Sequence, residues 1–317
     1  MGERKLESSA HPFTIYQEFF DNFNSLHTRR SYEIDIRHFF SWAHEQFNIS
    51  SYGDLERDHI IKYRNFLQEA GGRDGSPCAP KTVARKLAAL SSYSDFLVER
   101  SILEFNPVTS IKRPRRDVKT PTNALSGTQV RELLEAIPGD TPAGILHRAL
   151  LMMFFTTGLR KSEILNLKFK DYREINEYRV LEFIGKGGKI GQKVLHPDAV
   201  ELLDLYLVEM QRQGRELGQE DWLFQPSHNP TNPQNLNKPL NPRTINEIID
   251  YYAKKIGLNF KVTPHSCRAT FIGELLENGV DIYSVAREVN HSSVKTTQEY
   301  DKRRKRLSDS PIFKLKY

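Results

Sequence analysis

Through the first third of the chain, apolar residues return every three or four positions. Phe13, Tyr16, Phe20 and Phe23 keep that spacing, and Tyr32, Ile36, Phe39, Phe40 and Ala43 repeat it, which predicts amphipathic helices. Ser25 or Thr28 suits the N-cap of the second. A third helix is expected over Asp58–Glu69, stopped by Gly71 and Gly72, and a loop of Gly, Asp, Ser and Pro leads on to Pro80. Pro80 fits the start of a fourth helix, whose buried stripe is Val83, Leu87, Leu90, Phe96 and Leu97, running to about Arg100. Together these segments predict a compact four-helix bundle.

The periodicity then stops. Between Asn106 and Ala124 the chain carries three prolines and five basic residues against one Asp, the composition of an interdomain linker. The expected division is a helical domain over 1–110, a basic linker over 111–124 and a second domain over 125–317. The linker suits either a solvated loop or a strap along a phosphate backbone. Beyond it, Ser126 reads as the N-cap of a helix to Ile137, and His147–Thr157 as a dense apolar helix ended by Gly158, with a further helix near Lys161–Leu167. Tyr178–Ile184 alternates as a strand, a Gly-Lys-Gly-Gly-Lys turn follows, and Gln192–Leu195 returns as its hairpin partner. Helices are expected over Ala199–Gln213, Arg243–Ile256, Ser266–Asn278 and Ile282–Glu288, with an Asn- and Pro-rich loop at Pro226–Pro242. The fold class is mainly α, an N-terminal helical bundle followed by an α+β domain with one small β-hairpin.

Composition narrows the picture modestly. The length of 317 residues suits two cores, and 10% aromatic content separates the chain from disordered sequences. Lys and Arg number 46 against 40 Asp and Glu, a net +6 that suits a polyanionic partner without requiring one. Much of the excess is concentrated at Lys112–Lys119, Lys186–Lys193 and Lys302–Arg306. Cys78 and Cys267 lie far apart and form no C-x-x-C pair, so neither a disulfide framework nor a zinc ribbon is indicated, and a reducing compartment fits best. No apolar run of about 18 residues occurs and the N-terminus is charged, so a soluble, cytoplasmic protein with no membrane partner is expected.

Four segments carry candidate chemistry. Arg160 stands at a helix junction with Glu163 three residues on, on the same face. Lys186 sits at the tip of a glycine-flanked hairpin; the turn is no P-loop, since the spacing and the following Ser or Thr are missing. Thr263 and Pro264 suit N-cap and N1, which puts His265 and Arg268 in the first turn of a helix, where phosphate binds readily. His265 and Cys267 lie two apart on that helix and diverge, so no metal is expected. His291 and Tyr300 close the series. Singly, each residue also fits a structural role.

The order of these residues resembles the tyrosine recombinase (phage integrase) family, in its simple two-domain form. The likeness runs from about Phe13 to Tyr300 and is carried by T-G-L-R-K-S-E, G-K-G-G-K, H-S-C-R with a helix ending L-L-E-N-G, and H-S-S-V-K-T-T-Q-E-Y. It departs in Asn290, where Gly commonly precedes the last His, and in Ser266 and Cys267 before the second Arg. The resemblance implies a SAM-like core-binding bundle clamping one DNA face, a catalytic domain on the opposite face, and Arg160, Lys186, His265, Arg268, His291 and Tyr300 as the catalytic set. By the same resemblance Tyr300 attacks a DNA phosphodiester, leaving a 3′-phosphotyrosine and a free 5′-hydroxyl, without ATP, metal or other cofactor. Arg160 and Arg268 would clamp the phosphate, His265 serve as base or positioning group, Lys186 protonate the leaving oxygen, and His291 bond a non-bridging oxygen or buttress the site. Glu163 would orient His265 or the first Arg.

Further expectations follow from the family. Four protomers, a dimer on each site, would exchange strands between two specific double-stranded sites through a Holliday junction, with an accessory protein or second recombinase as a conceivable partner. Lys81, Arg85, Lys86, Arg113, Arg115, Arg116 and Lys189 are candidate DNA contacts, although a solvated face fits the helical ones equally. The tail holding Ile312, Phe313 and Leu315 would dock on a neighbouring protomer or fray. No arm-binding domain is expected before the bundle. Two other readings remain open: a type IB topoisomerase, and a DNA-binding protein without catalysis.

Overall fold

The computed structural model describes residues 13–72, 74–114, 122–229, 231–232, 236–301 and 311–316. They belong to two compact units, Met1–Lys119 and Thr120–Tyr317. No described helix is long and apolar enough to cross a membrane.

The first unit contains α1 (Gln17–Asp21), α2 (Leu26–Phe47), α3 (Arg57–Glu69) and α4 (Pro80–Glu99). Ser25 caps α2 by accepting from Thr28 N–H, and Asn48 ends it in the left-handed region. The first helix is shorter than the aromatic spacing predicts. Phe13 and Tyr16 precede it in non-helical backbone, because Phe13 is buried against Phe40 and Tyr52 while the Tyr16 backbone N–H donates to Tyr93 Oη. Aromatic rings dominate the core: Phe20, Phe39, Phe40, Tyr63 and Tyr93 are all fully enclosed.

One expected DNA contact is corrected here. Lys86 is buried, with Nζ 3.6 Å from Asp35, because it falls on the Val83, Leu87 and Leu90 side of α4. Arg85 is ion-paired to the same buried carboxylate, although half of its side chain remains in solvent. Lys81 and Arg113 are exposed. Arg115, Arg116 and the basic run Lys302–Arg306 lie outside the described residues.

The second unit is built around α6 (Pro142–Thr157), preceded by α5 (Gly127–Glu135). Leu150, Leu151, Met153 and Phe154 are completely buried, so this helix is apolar nearly all round and packs between neighbours. Thr141 caps its start and Gly158, at φ +60°, ends it. Then follow α7 (Lys161–Leu165), the antiparallel strands β1 (Tyr172–Ile175), β2 (Tyr178–Ile184) and β3 (Ile190–Val194), α8 (Pro197–Arg212), α9 (Pro242–Lys255), α10 (Pro264–Glu277), α11 (Ile282–Glu288) and α12 (Val294–Gln298). The sheet order is β1-β2-β3, with Ile184 opposite Ile190 at the hairpin end. The first strand escapes the pattern reading because its sequence, Tyr-Arg-Glu-Ile, is mostly exposed and too polar to alternate. Cores of α6, α8 and α10 leave the starts of α7 and α10 and the end of α11 to converge on one site.

Candidate active site

Arg160 is the N-cap residue of α7. Glu163, buried beneath it, accepts the Arg160 backbone N–H at 2.7 Å through Oε2 and the Nη1 of its guanidinium at 2.8 Å through Oε1. One carboxylate therefore fixes both the turn and the side chain, and roughly a third of the Arg160 side chain is left in solvent. Of the two partners the sequence allowed for Glu163, Arg160 is the one it grips.

Arg268 approaches from α10. Thr263 accepts from Ser266 N–H, Pro264 occupies the first turn, and Arg268 follows one turn on, 4% exposed. Its Nη1 donates to the Gly158 carbonyl and its Nη2 to the Val289 carbonyl. These tie it to the end of α6 and to the residue after α11. Burial, with the positive charge of Arg160 next in weight, lowers its pKa to about 10, so it stays protonated at neutral pH. Two guanidiniums are thus held close enough to repel. A bound anion would relieve that repulsion, whereas a neutral ligand would not.

Gly158 does more than end α6. A Cβ there would meet the Phe271 ring at 2.4 Å, so its left-handed turn and the close approach of α10 both need glycine.

Tyr300 follows α12, and its hydroxyl lies 3.1 Å from His265 Nε2 on α10. Its ring stacks on His291 with centroids 6.1 Å apart at 19°. Burial raises the Tyr300 pKa, and Arg268 and, after the adverse charge of Glu299, Arg160 pull it back. The phenol is consequently neutral at physiological pH, with an imidazole nitrogen at hydrogen-bond distance. His291 engages Thr297 Oγ1 through Nδ1 at 2.8 Å. Its pKa is lowered to about 4, first by burial and then by Arg268, Arg160 and His265, so its imidazole is neutral where the protein works.

The hairpin completes the arrangement. Gly185 N–H donates to Lys189 O at 2.7 Å, closing a turn in which Gly187 and Gly188 take φ near +78° and +77°. Lys186 opens that turn; only its backbone is described. Lys189 is exposed and, with Arg160, Gly185, Arg287, Asn290 and His291, lines a cavity of about 520 Å³. Lys193, counted in the sequence only as part of the basic excess of the hairpin, turns inward. Sequence reasoning missed it, as it missed Thr297 and the two backbone carbonyls that hold Arg268. Strand parity was the available signal for Lys193, and Thr297 stands within the H-S-S-V-K-T-T segment. Cys267, by contrast, is completely buried while His265 is exposed, the divergence expected for residues two apart.

Asn290 explains one departure from the resemblance. Its φ is +51°, a conformation that glycine adopts freely, asparagine tolerates and branched side chains resist. The turn delivers His291, whose N–H returns to the Ala286 carbonyl. Asn290→Gly should melt and react like the parent, and Asn290→Val should lose about 1–2 kcal/mol of stability. Thermal melts of the two variants check this.

Comparison with known proteins gives the chain its relatives. The profile of the phage integrase family matches residues 123–306, and that of the phage integrase N-terminal SAM-like domain matches 19–101. Tyrosine recombinase XerC of Halalkalibacterium halodurans is 31% identical over 293 residues, 91% of this chain and 90% of its own. Tyrosine recombinase XerD of Listeria innocua serovar 6a is 29% identical over 277 residues, 87% of this chain and 88% of its own. Among solved structures, the XerH site-specific recombinase bound to palindromic difH substrate, a post-cleavage complex, superposes with TM-score 0.71 at 19% identity, covering 92% of this chain and 81% of that one. A lambda integrase tetramer bound to a Holliday junction gives 0.66 at 15% identity, covering 92% and 78%. At such identities the structural likeness is one of fold.

Proposed function

The chain belongs to the phage integrase family of tyrosine recombinases, and from that premise we propose that Tyr300 cleaves and rejoins DNA at specific sites through a 3′-phosphotyrosine. The observation that carries this reading is the Tyr300 hydroxyl, 3.1 Å from His265 Nε2 and within the field of two arginines. A phenol at this position needs its proton removed as it attacks, and the His265 ring nitrogen at that distance is placed to accept it. The phenolic oxygen bonds to phosphorus, the bond to the 5′-oxygen breaks, and the leaving oxygen takes a proton. Lys186, on the glycine-rich turn, is assigned that proton by the family likeness.

Negative charge accumulates on the non-bridging oxygens during the transfer. Arg160 and Arg268 are planar donors held before substrate arrives, so their stabilisation requires little reorganisation. His291, neutral and fixed through Nδ1, donates to a non-bridging oxygen or buttresses the site beside the tyrosine ring. One phosphoester replaces another, so rejoining by the 5′-hydroxyl of a partner strand needs no external energy source. Four protomers on two duplexes would pass strands through a Holliday junction. Lys189 and Arg287 extend the positive surface toward the neighbouring backbone. The enzyme acts where its DNA lies, in the cytoplasm.

The test separates strand exchange from swivelling. Plasmids carrying two copies of a site selected from a random-sequence pool by the full-length protein should yield deletion or inversion products without ATP. Relaxation of supercoiled plasmid lacking those sites, with no exchange between paired sites, would overturn the proposal in favour of a topoisomerase.

A further inference from the structure

Strand parity puts Gly191, Lys193 and Leu195 on the inner side of the hairpin and Ile190, Gln192 and Val194 on the outer. A lysine among the inner positions is unusual, since burying an ammonium is unfavourable unless a partner meets it. Its side chain is 3% exposed, which removes it from any DNA-contacting surface.

Glu288, the last residue of α11, meets the ammonium twice. Nζ donates to the Glu288 backbone carbonyl and lies 2.6 Å from Oε1 of its carboxylate. Carbonyls in the final turn of a helix lack intrahelical partners, so this one is an acceptor in search of a donor. The next carbonyl, Val289 O, receives Arg268 Nη2. Two cations from two different elements therefore hold consecutive carbonyls at the end of α11. One residue later the backbone turns through Asn290 into His291.

The same lysine also borders the Arg268 side. Its Nζ lies 5.9 Å from the centroid of Phe271, the ring that packs on Gly158, and the Gly158 carbonyl is the second acceptor of Arg268. Burial lowers the Lys193 pKa, Glu288 opposes this, and the charges of Arg268 and Glu163 both reach it.

We propose that Lys193 is a positioning residue for the cleavage step: it straps the end of α11 to β3 and thereby sets where Arg268 and His291 meet the scissile phosphate. The proposal rests on the phosphotyrosine reading above and deepens it. Lys193 itself touches no reacting atom. Its effect should appear in the rate of the bound complex and hardly at all in affinity, since DNA binding draws on many phosphate contacts.

The experiment measures single-turnover formation of the covalent adduct at saturating protein, with affinity measured separately, on the pool-selected duplex carrying a nick beside the cleavage point. Lys193→Met should slow adduct formation by about 10–100-fold while its Kd stays within about 3-fold. Lys193→Arg, which keeps a cation with several donors, should recover most of that rate. Should Lys193→Met fail to fold, Glu288→Gln serves in its place; it keeps the carbonyl acceptor, loses the charge, and should slow the step by about 3–10-fold at unchanged Kd. A folded Lys193→Met protein that reacts at the parent rate would overturn the proposal, as would losses of rate and affinity in equal proportion. So would a Lys193→Arg protein no faster than the methionine variant, or a Glu288→Gln protein that reacts like the parent. Absence of adduct from the parent protein would count against the phosphotyrosine reading instead.

Discussion

Replacing Tyr300 with phenylalanine is expected to abolish adduct formation while leaving the protein folded and bound to DNA. Only the hydroxyl is removed. The ring keeps its stacking on His291 and its place against the small cluster of Ile272, Leu276, Val285 and Val289. The lost hydrogen bond to His265 is worth about 0.5–1.5 kcal/mol, too little to unfold the unit. Catalysis behaves differently, because the oxygen that would bond to phosphorus is gone. Denaturing gels of nicked duplex incubated with parent and variant check the prediction: a slow-migrating protein–DNA band from the parent only. His265→Gln should retain the nucleophile and lose the base, reducing the rate by about 10²–10⁴-fold.

Arg268→Lys should be nearly as damaging, by a different route. Arg268 is held by the Gly158 and Val289 carbonyls, and under the proposed mechanism its planar cation meets the phosphate. A lysine has three donors around one nitrogen and cannot span both carbonyls and a phosphate oxygen. Losing one preorganised donor to a developing oxyanion typically costs about 10²–10³-fold in rate, and that is the expected loss in cleavage. Stability should fall as well, by about 1–3 kcal/mol for each buried carbonyl left without a donor. Arg160→Lys should differ in this respect. Arg160 is a third exposed and its carboxylate partner also caps α7, so cleavage should fall with a smaller change in melting temperature. Paired measurements of adduct rate and thermal midpoint distinguish the two arginines.

Much of this arrangement is legible in the sequence because its signals are local. Thr263 and Pro264 mark a helix start, which places His265 in its first turn and Arg268 just beyond it. Gly158 marks a helix end, and Glu163 lies one turn from Arg160. What local signals leave out is chain geometry at long range. Lys86 shares its charge with Arg85 and Lys81, yet helical rotation carries it inward to Asp35, fifty-one positions earlier in the chain. Lys193 lies close in sequence to Gly187, Gly188 and Lys189, which do face solvent, and only strand parity with a partner on α11 turns it toward the interior. The aromatic spacing before α1 imitates a helix because Phe13 and Tyr16 fill the bundle core from non-helical backbone. Asn290 shows the reverse case. A departure from the family motif becomes intelligible once its positive φ is known.

The account stands on the identity of one covalent bond, and peptide mapping of the trapped adduct tests it most directly. Parent protein is incubated with nicked duplex, digested with protease and nuclease, and the nucleotide-bearing peptide is identified by mass. The account predicts a nucleotide joined through its 3′-phosphate to Tyr300, with a free 5′-hydroxyl on the released strand. A nucleotide attached to any other residue, or linked through a 5′-phosphate, would contradict it.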